Sequence, residues 1–283
     1  MPLMIKGINT GVIRHDNNFL ALALKVKYQR NKEALFFFPP LVLRDVLIAL
    51  EHRLFQHASL SGQPQEQLNR AKRSAMKKLR AHIPELTEQE LAQADISRRV
   101  ETVALTENSE SCLLFTLTMN DKTQTQLQVE ENQIELLVIA IVQAINNAGM
   151  HELAIRLSSL LDFLPLYDVD CRETGELEYD SYDQPDWKQT LFSHYLALIY
   201  RFSDNDGKDI TCGAVIKTRS NSDSEEAKAI SRRLMNFSPR LGKLKGRACQ
   251  VFIRAIPHAQ QQALSLEQCL RALHHLRASI PQN

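Results

Sequence analysis

FLALALKVK, residues Phe19 to Lys27, decides how the first part of this chain is read. Leu20, Leu22, Leu24 and Val26 occupy alternate positions, and a period of two puts them on one face of a half-buried strand. A polar turn follows at Gln29-Arg30-Asn31-Lys32, then a second apolar run from Ala34 to Phe38. Pro39-Pro40 ends that strand. Proline suits the first turn of a helix, where its missing N–H would have no partner. Leu43, Val46, Leu47, Leu50 and Leu54 then recur at helical spacing. With Gly11-Val12-Ile13 ahead of the hairpin, residues 1–60 read as a β-β-β-α unit.

The same order returns further along. In CLLFTLTMN, Leu113, Phe115, Leu117 and Met119 alternate. Asp121-Lys122-Thr123 makes the turn, and Leu127 and Val129 alternate in the next strand. Leu20 to Val26 align with Leu113 to Met119 at an offset of 93, and Leu35 and Phe37 with Leu127 and Val129 at an offset of 92. The difference falls in the turn, where length varies most easily. Asn132 and Glu135 fit a helix cap with its reciprocal partner, ahead of Ile134, Leu137, Val138, Ile141, Val142 and Ile145. Val100 to Leu105 supplies the strand in front. The expected fold is therefore α+β, with two duplicated β-β-β-α units. Each unit alone buries only one sheet face, and packing the two together completes a core.

The rest of the chain is placed around these copies. Residues 61–96 read as a helical insertion, with Leu68, Ala71, Ala75, Met76, Leu79 and Ile83 as its stripe, a break at Pro84, and a capping box at Thr87 and Glu90. Residues 97–161 form the second copy plus a helix from His151 to Leu161, after Gly149 ends the one before. Residues 162–187 read as an acidic linker or surface excursion: 162–186 holds nine Asp/Glu and one Arg. Residues 188–283 read as a β-β-α-β-α unit. Its hairpin spans Tyr195–Phe202 and Ile210–Lys217 around Asp204-Asn205-Asp206-Gly207, a strong turn signal. A helix from Ser224 to Met235, a strand from Ala248 to Ile256, and a helix opened by the Ser265/Gln268 capping box complete it.

Composition excludes little beyond disorder. The 283 residues carry 34 Lys+Arg and 33 Asp+Glu, a net charge of +1, with 44% hydrophobic residues. Those values suit a folded protein. No apolar run approaches the roughly 18 residues of a membrane span, and the N-terminus shows no secretory pattern. Cys112, Cys171, Cys212, Cys249 and Cys269 are odd in number and never form C-x-x-C, which argues for reduced thiols and a cytoplasmic protein.

The N-terminal stretch KGINTGVIRHDNNFLALALKVK, Lys6 to Lys27, with EALFFFPPLVLRDVL, Glu33 to Leu47, behind it, resembles the YjeJ-like family of uncharacterised, mainly enterobacterial proteins. The resemblance implies a cytoplasmic bacterial protein. It brings no catalytic motif, so it assigns no active-site residue.

The residues themselves show no coherent catalytic set. There are nine glycines, no G-x-G-x-x-G and no G-x-x-x-x-G-K-[ST], so a phosphate-cradling loop is not indicated. Gly242-Lys243-Leu244-Lys245-Gly246 reads as a solvated loop before a strand. His151-Glu152 begins an H-E-x-x-H string, but Ile155 stands where the second His belongs. His52 and His57 fall on different helix faces, and the adjacent His274 and His275 diverge. Asp204, Asp206 and Asp209 miss the spacing of a calcium loop. Cys171 sits among Asp168, Asp170 and Glu173, which disfavour its thiolate. No residue is assigned to catalysis, to a cofactor or to a metal, and whether the chain is an enzyme stays open, with a site dispersed along the sequence as a third reading.

Charge is segregated. Residues 228–254 hold Lys228, Arg232, Arg233, Arg240, Lys243, Lys245, Arg247 and Arg254 with no Asp or Glu. Residues 64–83 hold six basic residues and one Glu, and Arg70, Arg73, Lys77 and Arg80 gather opposite the apolar stripe. The leading functional expectation is a non-enzymatic protein-interaction or regulatory protein. The alternative is a nucleic-acid binder, with Arg232, Arg233, Arg240, Lys243, Lys245 and Arg247 on phosphates, helped by Arg70, Arg73, Lys77 and Arg80. A protein partner, nucleic acid or a second copy of the chain all stay open as partners; a membrane does not. Whether the acidic 162–186 segment neutralises the 228–254 block is the question the fold must answer.

Overall fold

A computed structural model describes residues 1–59, 65–109, 111–172, 174, 176–203, 209–259 and 263–281. The chain divides into two compact units, Met1–Leu161 and Asp162–Asn283. Both mix helices with antiparallel sheet, so the class is α+β, with three sheets among the described residues.

The first unit runs β1 (Leu3–Met4), β2 (Gly7–His15), β3 (Asn18–Lys27), β4 (Glu33–Phe38), α1 (Pro40–Ser59), α2 (Gln65–Arg80), α3 (Glu88–Ala92), β5 (Val100–Asn108), β6 (Cys112–Met119), β7 (Gln124–Glu130), α4 (Ile134–Asn147) and α5 (His151–Ser158). Strands β2-β3-β4 form one antiparallel meander, and β5-β6-β7 a second. Short β1 was not foreseen. It pairs parallel with β7, Leu3 against Leu127, and extends the second sheet to four strands.

The inner faces of both sheets share one core. Leu22, Leu24 and Phe38 face Phe115, Leu117, Leu127 and Val129, and α1 and α4 close the ends with Leu43, Val46, Leu137 and Ile141. The space left among them is about 10 Å³, no more than one water would need. Helix α1 lies against β5, and α4 against β2, so each helix reaches the outer strand of the other meander. Thr10 of β2 donates its hydroxyl to Ala140 O of α4 at 3.1 Å.

The register corrects the sequence alignment of the two hairpins. Leu22 opposes Phe38, Leu24 opposes Phe36 and Val26 opposes Ala34. In the second meander Leu113 opposes Val129, Phe115 opposes Leu127 and Leu117 opposes Thr125. Every member of the second set stands 91 positions after its counterpart in the first. The offsets of 93 and 92 instead matched Leu35 and Phe37 with Leu127 and Val129, which point to different surroundings. Leu35 and Phe37 lie on the far face with Ala21 and Ala23, against Ile13, Leu86 and Leu91. The misreading arose because Leu35 to Phe38 is apolar at every position, so alternation could not say which residues face inward.

That far face is covered by the insertion. Ala21 and Ala23 keep the strand surface low enough for Leu86 and Leu91 to reach it. Gly7 permits the closest approach: a Cβ there would stand 1.8 Å from His82 O. The Thr87/Glu90 capping box is present, and Lys25 Nζ reaches Glu90 at 2.7 Å. The expected cap at Asn132 and Glu135 is not formed. Glu130 and Gln133 make the reciprocal pair instead, and the Gln133 amide also donates to Ile5 O at 2.9 Å. The left-handed Gly149, with φ of 75°, follows the end of α4.

The second unit runs β8 (Phe163–Cys171), β9 (Leu177–Ser181), α6 (Asp186–Gln189), β10 (His194–Ser203), β11 (Asp209–Thr218), α7 (Glu225–Phe237), β12 (Gln250–Ile256) and α8 (Leu266–Ala278). Its five strands are ordered β12-β10-β11-β8-β9, each antiparallel to its neighbours. The expected acidic linker 162–187 is therefore corrected: it contributes two strands and the start of α6 to this unit. Its acidic residues hid the pattern, but Phe163, Leu164, Leu166 and Val169 are buried between them. The turn residues Asp204-Asn205-Asp206-Gly207 lie outside the described residues, as do Pro64, Glu173 and Gly175; β10 and β11 still pair from His194↔Thr218 to Ser203↔Asp209.

Helix α8 covers one face of this sheet, with Cys269, Leu273 and Leu276 on Tyr195, Ala197, Ile199 and Val215. The other face meets α7, where Tyr200 donates its hydroxyl to Ser231 O at 2.8 Å. Burial on both faces explains why Tyr195 to Tyr200 is apolar at every position. No helix among the described residues is long and apolar enough to cross a membrane.

Candidate functional site

The basic block 228–254 spans α7, the turn after it and β12. Ser224 caps α7, its hydroxyl accepting from Ala227 N at 3.1 Å, and Glu225 and Glu226 sit in the first turn, where the helix dipole favours them. Ala227, Ile230, Ser231 and Leu234 face the sheet. The chain then turns through Leu241–Leu244, whose Leu241 and Leu244 are fully buried. Gly246, at φ 78°, precedes the chain's entry into β12.

Three of the six cations nominated in this block are taken by carboxylates from β8, β9 and the residue before β8. Arg233 grips Asp162 with both ends of its guanidinium, at 2.9 and 2.5 Å. Arg240 reaches Asp180 at 2.7 Å and Asp170 at 3.0 Å, and its Nε lies 3.8 Å from Asp168. Lys243 also bonds Asp170. Asp168 is only 1% exposed. Its Oδ2 accepts from Tyr182 at 2.8 Å and from the Ser238 hydroxyl, while Oδ1 accepts no hydrogen bond among the described residues and lies 3.8 Å from Arg240 Nε.

The protonation behaviour follows this geometry. Burial alone would raise the Asp170 carboxyl, but bonds from Lys243, Cys212 and Arg240 outweigh it and hold the group below the ordinary carboxylate range. The bond from Arg240 does the same for Asp180. Bonding to Asp180 and then Asp170 drives the Arg240 guanidinium upward despite its burial. Burial, then the bond to Asp168, pushes the Tyr182 hydroxyl up to about 12. Burial also pushes the Cys171 thiol to about 11 and Cys212 to about 12, so neither supplies a thiolate nucleophile at neutral pH.

The remaining cations are arranged differently. Lys228, Arg232 and Arg247 line an open groove of about 600 Å³ between α7 and β12, walled by Met235, Val251 and Ile253. Among the described residues, no carboxylate lines it. Lys228 bonds Glu225 at 2.6 Å, one turn back on α7. Arg247 rests 5.3 Å above the Phe202 ring. Among the described residues, Arg232 and Lys245 make no ion pair. In the first unit, Arg70, Arg73, Lys77 and Arg80 stand exposed along α2, while Ala75 and Leu79 are buried and Lys72 pairs with Glu135.

The family model for YjeJ-like proteins matches residues 1–283. The chain belongs to this family. Within the family, it is similar to the "Uncharacterized protein YjeJ" of Escherichia coli (strain K12), with 54% identity over 277 residues, covering 98% of this chain and 96% of that one. No solved structure matches. Family membership thus agrees with the N-terminal resemblance and extends it over the whole chain.

Arg232 and Arg247 are legible in the sequence as cations, but the groove they enter is not. Met235, Val251 and Ile253 went unnoticed because they lie in different elements, and only the packing of α7 beside β12 brings them together. The carboxylate partners were closer to legible, since 162–186 and 228–254 carry opposite charges of similar size.

Proposed function

We propose that this chain is a non-enzymatic interaction protein, and that its second unit receives an anionic protein partner in the groove between α7 and β12. One observation carries the reading. Arg232 and Arg247 face a groove without a carboxylate, whereas Arg233, Arg240 and Lys243 are already held by Asp162, Asp168, Asp170 and Asp180. Cations that neutralise the protein's own strands shape the fold. Cations left facing an open groove are available to a partner. On the same reading the two β-β-β-α units are a duplicated pair. The constant 91-residue offset and the reciprocal seating of α1 and α4 support it.

A second reading, nucleic-acid binding, draws on the exposed Arg70, Arg73, Lys77 and Arg80 of α2. One experiment addresses both. Fluorescence anisotropy with labelled polyglutamate, single-stranded DNA, duplex DNA and RNA is measured across a salt series. The protein reading expects polyglutamate binding that weakens with salt and drops at least tenfold in Arg232→Ala/Arg247→Ala. The nucleic-acid reading expects a salt slope that becomes shallower by about 0.9 per lost duplex phosphate contact when the α2 arginines are removed. If no polyanion binds at low salt, both readings fail.

A further inference from the structure

The two edges of the second unit's sheet differ in a way that matters for association. An edge strand exposes unpaired N–H and C=O groups that can pair with another chain, and natural edges are usually blunted by shortness, charge, proline or a bulge. Strand β9, at one edge, is five residues long and carries Glu178 and Asp180. Strand β12, at the other, has none of these guards beyond one arginine. It is QVFIRAI, seven residues without proline, paired to β10 without a register shift from Tyr195↔Ile256 to Arg201↔Gln250. Alternate residues of such a strand turn their backbone groups away from their single neighbour. Among the described residues, no backbone hydrogen bond from another element reaches β12.

The cationic groove runs beside this edge. Val251 and Ile253 point to its α7 side, under Arg232 and Arg247. Phe252 and Arg254 point to the other side, where Phe252 packs with the α8 core and Arg254 donates to Ser279 Oγ at 2.9 Å. A strand laid against β12 would therefore have cations on both faces and an apolar floor on the groove side. A polynucleotide fits less well. It has no amide ladder to offer the edge, and among the described residues no aromatic ring lines the groove for its bases.

We infer that β12 is a docking edge for an extended, acidic segment of a partner protein, added as a sixth strand with its carboxylates on Arg232, Arg247 and Arg254. The inference rests on the groove reading above and specifies how the partner binds. Backbone pairing supplies affinity in this mode, and the alternating side chains supply selectivity.

The test uses the full chain and an acetylated, amidated probe, Glu-Glu-Val-Thr-Glu-Glu-Val, whose alternation puts carboxylates on both faces and valines on one. Two isomers of it carry N-methyl groups on alternate amides, in opposite phase. Strand addition predicts that one isomer loses at least thirtyfold in affinity while the other binds within threefold of the parent, because only one set of amides faces β12. It also predicts slowed hydrogen exchange at outward β12 amides. In Arg232→Glu/Arg247→Glu, parent binding falls at least thirtyfold. If both isomers bind like the parent while the charge variant still fails, strand addition is wrong and the groove reading survives. If the parent probe and polyglutamate both fail to bind, both ideas are wrong. RNA or DNA that displaces the probe and binds more tightly, or a dimer paired through β12 that the probe does not dissociate, overturns the peptide assignment.

Discussion

Replacing Arg240 with methionine should cost the second unit about 3 kcal/mol at neutral pH. The side chain is 18% exposed and lies among Asp168, Asp170 and Asp180, whose side chains are 1%, 26% and 54% exposed. Removing one partner from a buried ion pair costs about 3–5 kcal/mol, chiefly because the other charge stays buried. The lower end applies here, since Lys243 remains on Asp170 and Asp180 can return to water. The assay is urea unfolding followed by fluorescence. Trp187 is the sole tryptophan and belongs to this unit, so its emission reports this unit rather than the first. With a urea slope of about 2 kcal/mol per molar, the midpoint should fall by about 1.5 M. The pH dependence has a definite sign. Asp170 and Asp180 are held below the ordinary carboxylate value of 3.8, so their contribution is complete above that pH and lost as pH falls below it. The difference between Arg240→Met and the unaltered protein should therefore shrink as pH drops from 7 toward 3. An unchanged midpoint at pH 7, or an equal loss at both pH values, would refute the assignment of Arg240 as the countercharge of this cluster.

Two further predictions concern the first unit. Gly7→Ala should destabilise it by about 2–3 kcal/mol, because the new Cβ meets His82 O and strand or insertion must shift; calorimetry should show the unfolding transition of this unit at a lower temperature, and an unchanged trace would contradict the clash. Glu131→Ala removes the carboxylate that Arg53 holds at 2.6 Å and His57 at 2.6 Å, leaving a 9%-exposed guanidinium without a countercharge among the described residues. A loss of about 3 kcal/mol is expected, with Glu131→Gln recovering part of it; equal stability of the two variants would contradict the role given to the charge.

Much of the architecture was legible because it rests on local periodicity. Leu22, Leu24 and Val26 alternate, Leu43 to Leu50 recur every three or four residues, and the Thr87 and Ser265 capping boxes depend on neighbours three apart. Strand and helix follow from such spacing with little help from distant residues. Where a segment is apolar at every position, as at Leu35 to Phe38, periodicity loses its power and the alignment of the two hairpins slipped by one or two residues. Where carboxylates interrupt a buried strand, as at Asp168 and Asp170, composition suggested a linker and burial decided otherwise.

Apart from β1, β8, β9 and α6, the sequence by itself determined the order of strands and helices, the two β-β-β-α units and the separation of charge into opposing blocks. Each of these is a property of neighbouring residues. Only the tertiary structure decided which cations are spent. Charge follows composition, but neutralisation depends on distance, and Asp162, Asp170 and Asp180 meet Arg233, Arg240 and Lys243 only because β8 and β9 join the sheet beside the turn that follows α7. The same packing sets α7 beside the edge of β12 and leaves Arg232 and Arg247 facing a groove. No spacing along the chain encodes that groove, because its walls come from elements that are neighbours in space alone.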